Sequence, residues 1–422
     1  MLRTLPRSLF LVAVVACGAP HAPPSAAAPP ADTTAPSEPA LRDAPDPVIA
    51  ARVDATLDAA VHEHRVVGAV VLVARDGQLV YHRAVGLADR ERGTAMREDG
   101  VFRLASMTKA LVAVTALTLV DRGVISLDDP VTRYLPEFAP KLADGSAPPI
   151  TIRELLTHTS GLSYSFFEPE DGPYHRAGVS DGLDAPGRSW SDNERRLASV
   201  PLIAPPGTRF RYSLSTDVLG EVIAHAAKLP LPALVARAVT TPLGLRDTGF
   251  SVSDPARLVT PYANQASGPP IKMTDGIVVP FAAGGIAFAP SRILHAASYP
   301  SGGAGAVGTA RDYLRFLEAV RTAHIGLAPA THAAALHDQL AGVDASELGP
   351  GKGFGFLGSV ILDPSAAGTP VSSGTVLWGG AYGHTWWIDP TAKLSVVLLT
   401  NTAFEGMMGR LVGDLQHAIY GR

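Results

Sequence analysis

Ser106 and Lys109, in the run Ser106-Met107-Thr108-Lys109, are the residues whose types and spacing first suggest chemistry. Three residues apart on a helix, their side chains stack on one face within reach of each other. A serine hydroxyl becomes a useful nucleophile when a base takes its proton, and a lysine serves as that base when burial or its neighbours keep it neutral. The chain holds this S-x-x-K arrangement once, where the loop Val101 to Ala105 meets an apolar run. The chemistry such a pair supports is acyl transfer, in which serine attacks a carbonyl, holds the acyl group covalently and yields it to water.

The element that must position the pair is the apolar run itself. From Ala110 to Val120 every residue but Thr115 and Thr118 is apolar, and Asp121, Arg122 and Gly123 supply a polar end and a stop. A helix apolar almost all round belongs inside a large protein, so the core is expected to wrap around this one, with its N-terminus facing the serine.

Both ends of the chain read as sheet. A helix is expected from Val48 to His64, then strands Ala69 to Ala74 and Gln78 to Val85 joined through Arg75-Asp76-Gly77, an Asp-Gly hairpin turn. The next strand-rich stretches are Gly353 to Leu362, Thr375 to Gly379, Thr385 to Ile388 and Leu394 to Leu399, followed by a closing helix from Ala403 to Tyr420. Residues 100 to 340 read mostly as helical patterns and long loops. The expected fold is mixed α/β (α+β): a central antiparallel sheet from both chain ends, flanked by helices, with an inserted and mostly helical lobe. The sheet lobe would span about 48–100 and 340–422, and the helical lobe about 101–339.

Ahead of this body, residues 1–17 carry Arg3 and Arg7, an apolar stretch Leu9 to Ala16, and Cys17, the one cysteine of the chain. That is the pattern of a secretory signal, too short to span a membrane. The ending Val14-Val15-Ala16-Cys17 resembles a bacterial lipobox, which implies a lipid on Cys17 and a place on the periplasmic or outer face of a cell envelope; cleavage nearby would instead give a soluble periplasmic or secreted protein. Residues 18–47 are crowded with Pro, Ala, Ser and Thr, cannot bury enough apolar surface to order themselves, and read as a disordered tether. The folded body then runs from 48 to 422. A net charge of −4, with 35 basic and 39 acidic residues interspersed, gives no basic stripe for nucleic acid. A single cysteine allows no internal disulfide, and no metal-ligand spacing appears among the 13 histidines. No metal and no cofactor is expected.

Five ordered stretches carry more. They are Ser106 to Lys109; Leu127-Asp128-Asp129-Pro130 with Tyr134-Leu135-Pro136-Glu137; Leu155-Leu156-Thr157-His158-Thr159-Ser160-Gly161-Leu162; Pro206-Gly207 through Tyr212-Ser213; and Pro242-Leu243-Gly244-Leu245 with Asp247-Thr248-Gly249-Phe250. Together they resemble the serine β-lactamase-like superfamily of class C β-lactamases, DD-peptidases and family VIII carboxylesterases, over roughly residues 50 to 420. The resemblance implies that Tyr212 matches the tyrosine of the family's Y-x-N element and shares proton handling with Ser106 and Lys109, with Ser213 beside it. Leu214 stands where the family has the asparagine. The family's Lys-Thr-Gly element would fall on Trp378-Gly379-Gly380-Ala381, a form that resembles the esterase branch. The N–H groups of Ser106 and Ala381 would then form the oxyanion hole, with Trp378, Gly379 and Gly380 as substrate wall. His384 is expected to be a supporting group rather than a triad histidine, and His158 a structural hydrogen-bonding residue.

The expected function is therefore a serine hydrolase working through an acyl-enzyme on a small ester or amide, foremost short-chain carboxylic esters. A lysine that would clamp a substrate carboxylate is replaced by an aromatic wall, which favours uncharged groups. The alternatives are β-lactamase or DD-carboxypeptidase activity, or a non-catalytic lipoprotein that binds cell-wall peptides.

Overall fold

The computed structural model describes residues 41–265 and 267–421. The expected leader, Cys17 and most of the expected tether lie outside the described residues. Residues 42, 43 and 47, expected to belong to the tether, instead lie in regular structure. Arg42–Asp43 (β1) pair in parallel with Gln78 and Leu79, and helix α1, Pro47–His62, starts on an Asp46 cap whose side chain accepts from Val48 and Ile49 N–H. A polar two-residue edge strand has no periodicity to betray it.

The main sheet is assembled from both ends of the chain. Gly68–Arg75 (β2) and Gln78–Asp89 (β3) form the hairpin, and Asp76 and Gly77 both take positive φ, as a two-residue turn matched to strand twist requires. The C-terminal strands are Lys352–Phe354 (β4), Ser359–Ile361 (β5), Val376–Gly380 (β6), His384–Asp389 (β7) and Leu394–Thr400 (β8). The order across the sheet is β1-β3-β2-β8-β7-β6-β5-β4, with Thr94–Ala95 as a short addition to β3, and every pair but β1–β3 is antiparallel. The strand-rich stretch Gly353 to Leu362 thus holds parts of two strands, β4 and β5.

Alternation along the central strands divides the interior in two. Val71 and Val73 of β2 with Val396 and Leu398 of β8 face Ile49, Val53 and Leu57 of α1 and Leu411 and Leu415 of the closing helix. Val70, Leu72, Val397 and Leu399 face the opposite way, into the larger core. That core surrounds α2, Thr108–Asp121, in which Thr108 through Leu119 are all buried. The long apolar run does occupy the centre. The closing helix is broken at Gly409 into Glu405–Met408 and Arg410–Tyr420.

The inserted segment carries more strand than its sequence suggests. Tyr262–Ala263 pairs with Ile271–Lys272 and with Thr402–Ala403, while Ile277–Phe281 and Gly284–Phe288 form a separate hairpin. Pro280 and the Gly284-Gly285 pair disguise that hairpin as loop, because both residues ordinarily interrupt strands. Among the described residues no single helix is long and apolar enough to cross a membrane.

Candidate active site

The turn bearing Ser106 is fixed from both sides. Phe102–Arg103 pairs antiparallel with Val307–Gly308, and Leu104 N–H donates to the Ala306 carbonyl at 2.9 Å. Ala306 N–H in turn donates to Thr108 Oγ1 at 3.0 Å, and Tyr313 OH donates to the Met107 carbonyl at 2.9 Å. Ala105, at φ +46°, sits in the left-handed region that a residue with a Cβ adopts only under constraint. A 3₁₀ turn, Ala105–Met107, then delivers Ser106 to the start of α2.

Lys109 lies one turn later, with 6% of its surface exposed. Its Nζ stands 3.4 Å from Ser106 Oγ and donates to Tyr164 OH at 3.0 Å and to the Gly303 carbonyl at 2.8 Å. It also lies 4.7 Å from the centre of the Tyr212 ring, within cation–π range. Ser106, Lys109 and Tyr212 therefore converge on one spot, as the spacing and motif order suggest.

Tyr164 and Gly303 are the two groups that sequence reading missed. Burial pushes the Tyr164 phenol well above its ordinary range, so it keeps its proton and offers Lys109 a fixed acceptor. Tyr164 comes two residues after the Leu155-to-Leu162 motif, which was the available signal; a backbone carbonyl such as that of Gly303 has no signature in sequence at all.

Tyr212 is half-buried between two walls. Its ring lies 5.2 Å from that of Tyr164 and 5.0 Å from that of Trp378, whose indole N–H donates to Tyr212 OH at 3.4 Å. Ser213 N–H donates to His158 Nδ1 at 3.3 Å, and Ser213 Oγ lies 2.7 Å from Ser215 Oγ. Since His158 Nδ1 accepts, the ring is neutral, and burial holds its pKa well below the usual histidine value, with Lys109 adding to the effect. Its part is to fix Tyr212 from behind, at 4.8 Å between rings. Leu214 is fully buried in the main core, so this position packs the start of the helix Ser215–Ala227 and presents no polar group to Lys109.

The strand Val376–Gly380 brings the third group of residues to the serine. A side chain on Gly380 would stand 2.3 Å from the Leu104 carbonyl, an approach that only glycine permits. The end of β6 is thereby pressed against the Ser106 turn, with Trp378 two residues before Gly380 and Ala381 just after it. His384, opposite Gly380 in β7, donates Nε2–H to the Arg103 carbonyl at 2.9 Å. Burial drops its pKa to about 4, and it ties the sheet to the strand entering the serine turn. Among the described residues its ring makes no hydrogen bond to Ser106 or Lys109, which agrees with a supporting rather than a triad role.

The family described as Beta-lactamase matches residues 53–419. The chain is 52% identical over 377 residues, 89% of its length, to Esterase EstB of Burkholderia gladioli, and covers 96% of that protein. Among solved structures it is similar to EstCE1, described as a hydrolase with promiscuous acyltransferase activity, at TM-score 0.85 and 45% identity, covering 89% of this chain and 99% of that one. Simvastatin synthase (LovD) from Aspergillus terreus shares the fold at TM-score 0.70 and 24% identity, covering 90% of this chain and 99% of that one. With a fold match across the whole body and motifs in family order, the chain belongs to the Beta-lactamase family and sides with its esterase branch.

Proposed function

We propose that this protein is a serine carboxylesterase that works through an acyl-enzyme on Ser106. The observation that carries the proposal is Lys109 Nζ at 3.4 Å from Ser106 Oγ, with the Tyr212 ring over it, beneath a strand that offers Trp378 rather than a cation to substrate. Ser106 Oγ attacks the ester carbonyl carbon, and its proton passes to the Lys109–Tyr212 pair. The oxygen of the tetrahedral adduct takes hydrogen bonds from Ser106 and Ala381 N–H, the C–O bond breaks, and the alcohol leaves with the returned proton. Water then repeats the sequence and releases the acid. Tyr164, Gly303, His158 and Ser213 hold these groups in position.

An alcohol taking the place of water is the second reading, favoured by the likeness to EstCE1 and its described acyltransferase activity. The esterase reading is tested by measuring kcat/KM for p-nitrophenyl butyrate, a chromogenic cephalosporin and a D-alanyl-D-alanine peptide on one preparation. The ester should exceed the others; a faster cephalosporin or peptide overturns the assignment.

We also propose that Cys17 is the lipidated N-terminus of the mature protein and tethers it to the periplasmic or outer face of a bacterial envelope. The support is the apolar stretch ending in Val14-Val15-Ala16-Cys17 and the Pro/Ala-rich segment after it. Mass spectrometry of the native N-terminus should find a diacyl or triacyl cysteine; an unmodified N-terminus beyond Cys17 refutes it.

A further inference from the structure

A second set of aromatic rings leaves the site on the side away from Trp378. Tyr164, on which Lys109 is anchored, stacks on Phe166 with ring centres 4.6 Å apart and planes inclined by 19°. Phe166 meets Phe281 edge-on at 5.4 Å, Phe281 meets Phe404 at 5.3 Å, and Phe404 meets Phe288 at 6.3 Å. Phe288 ends the series against Tyr382 at 4.9 Å, next to Ala381 of the oxyanion strand. The rings therefore form an arc from the lysine anchor round to the strand that faces the carbonyl.

Two members of the arc present surface. Phe166, Phe288 and Tyr382 are buried, whereas Phe281 and Phe404 are half-buried. Phe281 stands at the tip of the hairpin Ile277–Phe288, which among the described residues pairs only with itself and leans on the Tyr164 segment, where a side chain on Gly284 would lie 2.5 Å from the Glu168 carbonyl. Phe404 is held differently. Its N–H donates to the Ala381 carbonyl at 3.4 Å, its own carbonyl accepts from Met407 and Met408, and its φ is +67°. That conformation is an outlier for a bulky side chain, and glycine would adopt it freely. A strained aromatic residue, one backbone hydrogen bond from the oxyanion strand, calls for an explanation beyond packing.

We propose that Phe281 and Phe404 are specificity-determining residues that hold the larger group of an uncharged ester bearing an aryl or extended alkyl substituent. The inference rests on the esterase reading above and deepens it. Phe281 and Phe404 present ring faces and edges, which stack on flat apolar groups, and the cation next to them, Arg211 at 4.3 Å over the neighbouring Phe167 ring, is already paired with Glu347 at 2.9 Å. The backbone strain at Phe404 fixes its ring against that of Phe281, 5.3 Å between centres, so the two half-buried rings present one continuous apolar surface instead of swinging apart.

The test compares kcat/KM for benzyl acetate and methyl phenylacetate with that for methyl acetate. It is made in the wild-type protein, Phe281→Ala, Phe404→Gly and Phe404→Tyr, with folding followed by thermal melting and by fluorophosphonate labelling. The wild type should favour one of the aryl esters by about tenfold or more over methyl acetate, and that ratio should fall about tenfold in Phe281→Ala and in Phe404→Gly. Phe404→Tyr, which keeps the ring, should restore it. If the wild type turns over all three esters with a ratio near one, or if the ratio survives both truncations, the inference for Phe281 and Phe404 is wrong while the esterase reading stands. If no ester is turned over, both fall together.

Discussion

Replacing Lys109 by methionine separates its chemical part from its structural one. Methionine is unbranched and of similar length, so it fills the channel between Ser106 and Tyr164 while removing every donor. The Gly303 carbonyl and the Tyr164 oxygen then lose partners at 2.8 and 3.0 Å. Each orphaned group costs about 1–3 kcal/mol. The variant no longer buries an amine, and that opposing gain is of about the same size. Stability should therefore move by about 2 kcal/mol or less in either direction, a shift of up to about 3 °C in Tm for a body of this size. Activity should respond far more. General-base catalysis contributes about 10²–10⁴-fold, and groups acting as a unit lose nearly everything when one is removed, so kcat/KM should fall by about 1,000-fold or more. The assay is p-nitrophenyl butyrate hydrolysis alongside thermal melting, with Ser106→Ala and the Ser106→Ala/Lys109→Met double variant measured beside it. The double variant should be no worse than either single one. A folded Lys109→Met protein that keeps more than about a tenth of wild-type kcat/KM would refute the assignment of Lys109 to proton transfer.

Two further predictions concern the strand Val376–Gly380 and its support. Gly380→Ala places a methyl 2.3 Å from the Leu104 carbonyl, so the strand or the serine turn must move by several tenths of an ångström. Expected are a stability loss of about 1–3 kcal/mol and a fall in kcat of about 100-fold with a smaller change in KM, read by steady-state kinetics and urea unfolding. His384 is buried neutral, with its pKa lowered from 6.5 to about 4, so between those values the unfolded chain binds more protons than the native one and stability falls as pH drops. The shift corresponds to about 3 kcal/mol, so from pH 7 to pH 4 the wild type should lose about that much more stability than His384→Gln. Parallel urea midpoints for the two proteins would contradict it. Asp181, raised by burial to about 7, acts in the opposite sense and lowers stability as pH rises from its ordinary 3.8 toward 7.

The parts of this molecule that were legible in its sequence are those governed by local periodicity. An almost wholly apolar run became the buried helix Thr108–Asp121, because no face of it is polar enough to meet water. Asp76-Gly77 marked a hairpin, because two consecutive positive φ angles favour those residues. What escaped sequence reading depends on contacts between distant segments. Tyr164 reaches Lys109 across 55 positions, Gly303 contributes only a carbonyl across 194, and neither has a spacing rule. Leu214 illustrates a different failure. In sequence it is an asparagine lost from a motif, whereas in the structure it is a core residue at a helix start, and Lys109 draws its hydrogen bonds from elsewhere. The hairpin at Ile277–Phe288 was hidden because Pro280 and two glycines contradict strand propensity, yet its tip supplies the ring that faces Phe404.

The central claim is that Ser106 is the nucleophile, and covalent trapping tests it most directly. The purified protein is treated with a fluorophosphonate, digested and analysed by mass spectrometry, with Ser106→Ala as the control. One label per chain on the peptide containing Ser106, absent from Ser106→Ala together with ester turnover, is the predicted result. A label on another residue, or turnover that survives Ser106→Ala, would contradict it.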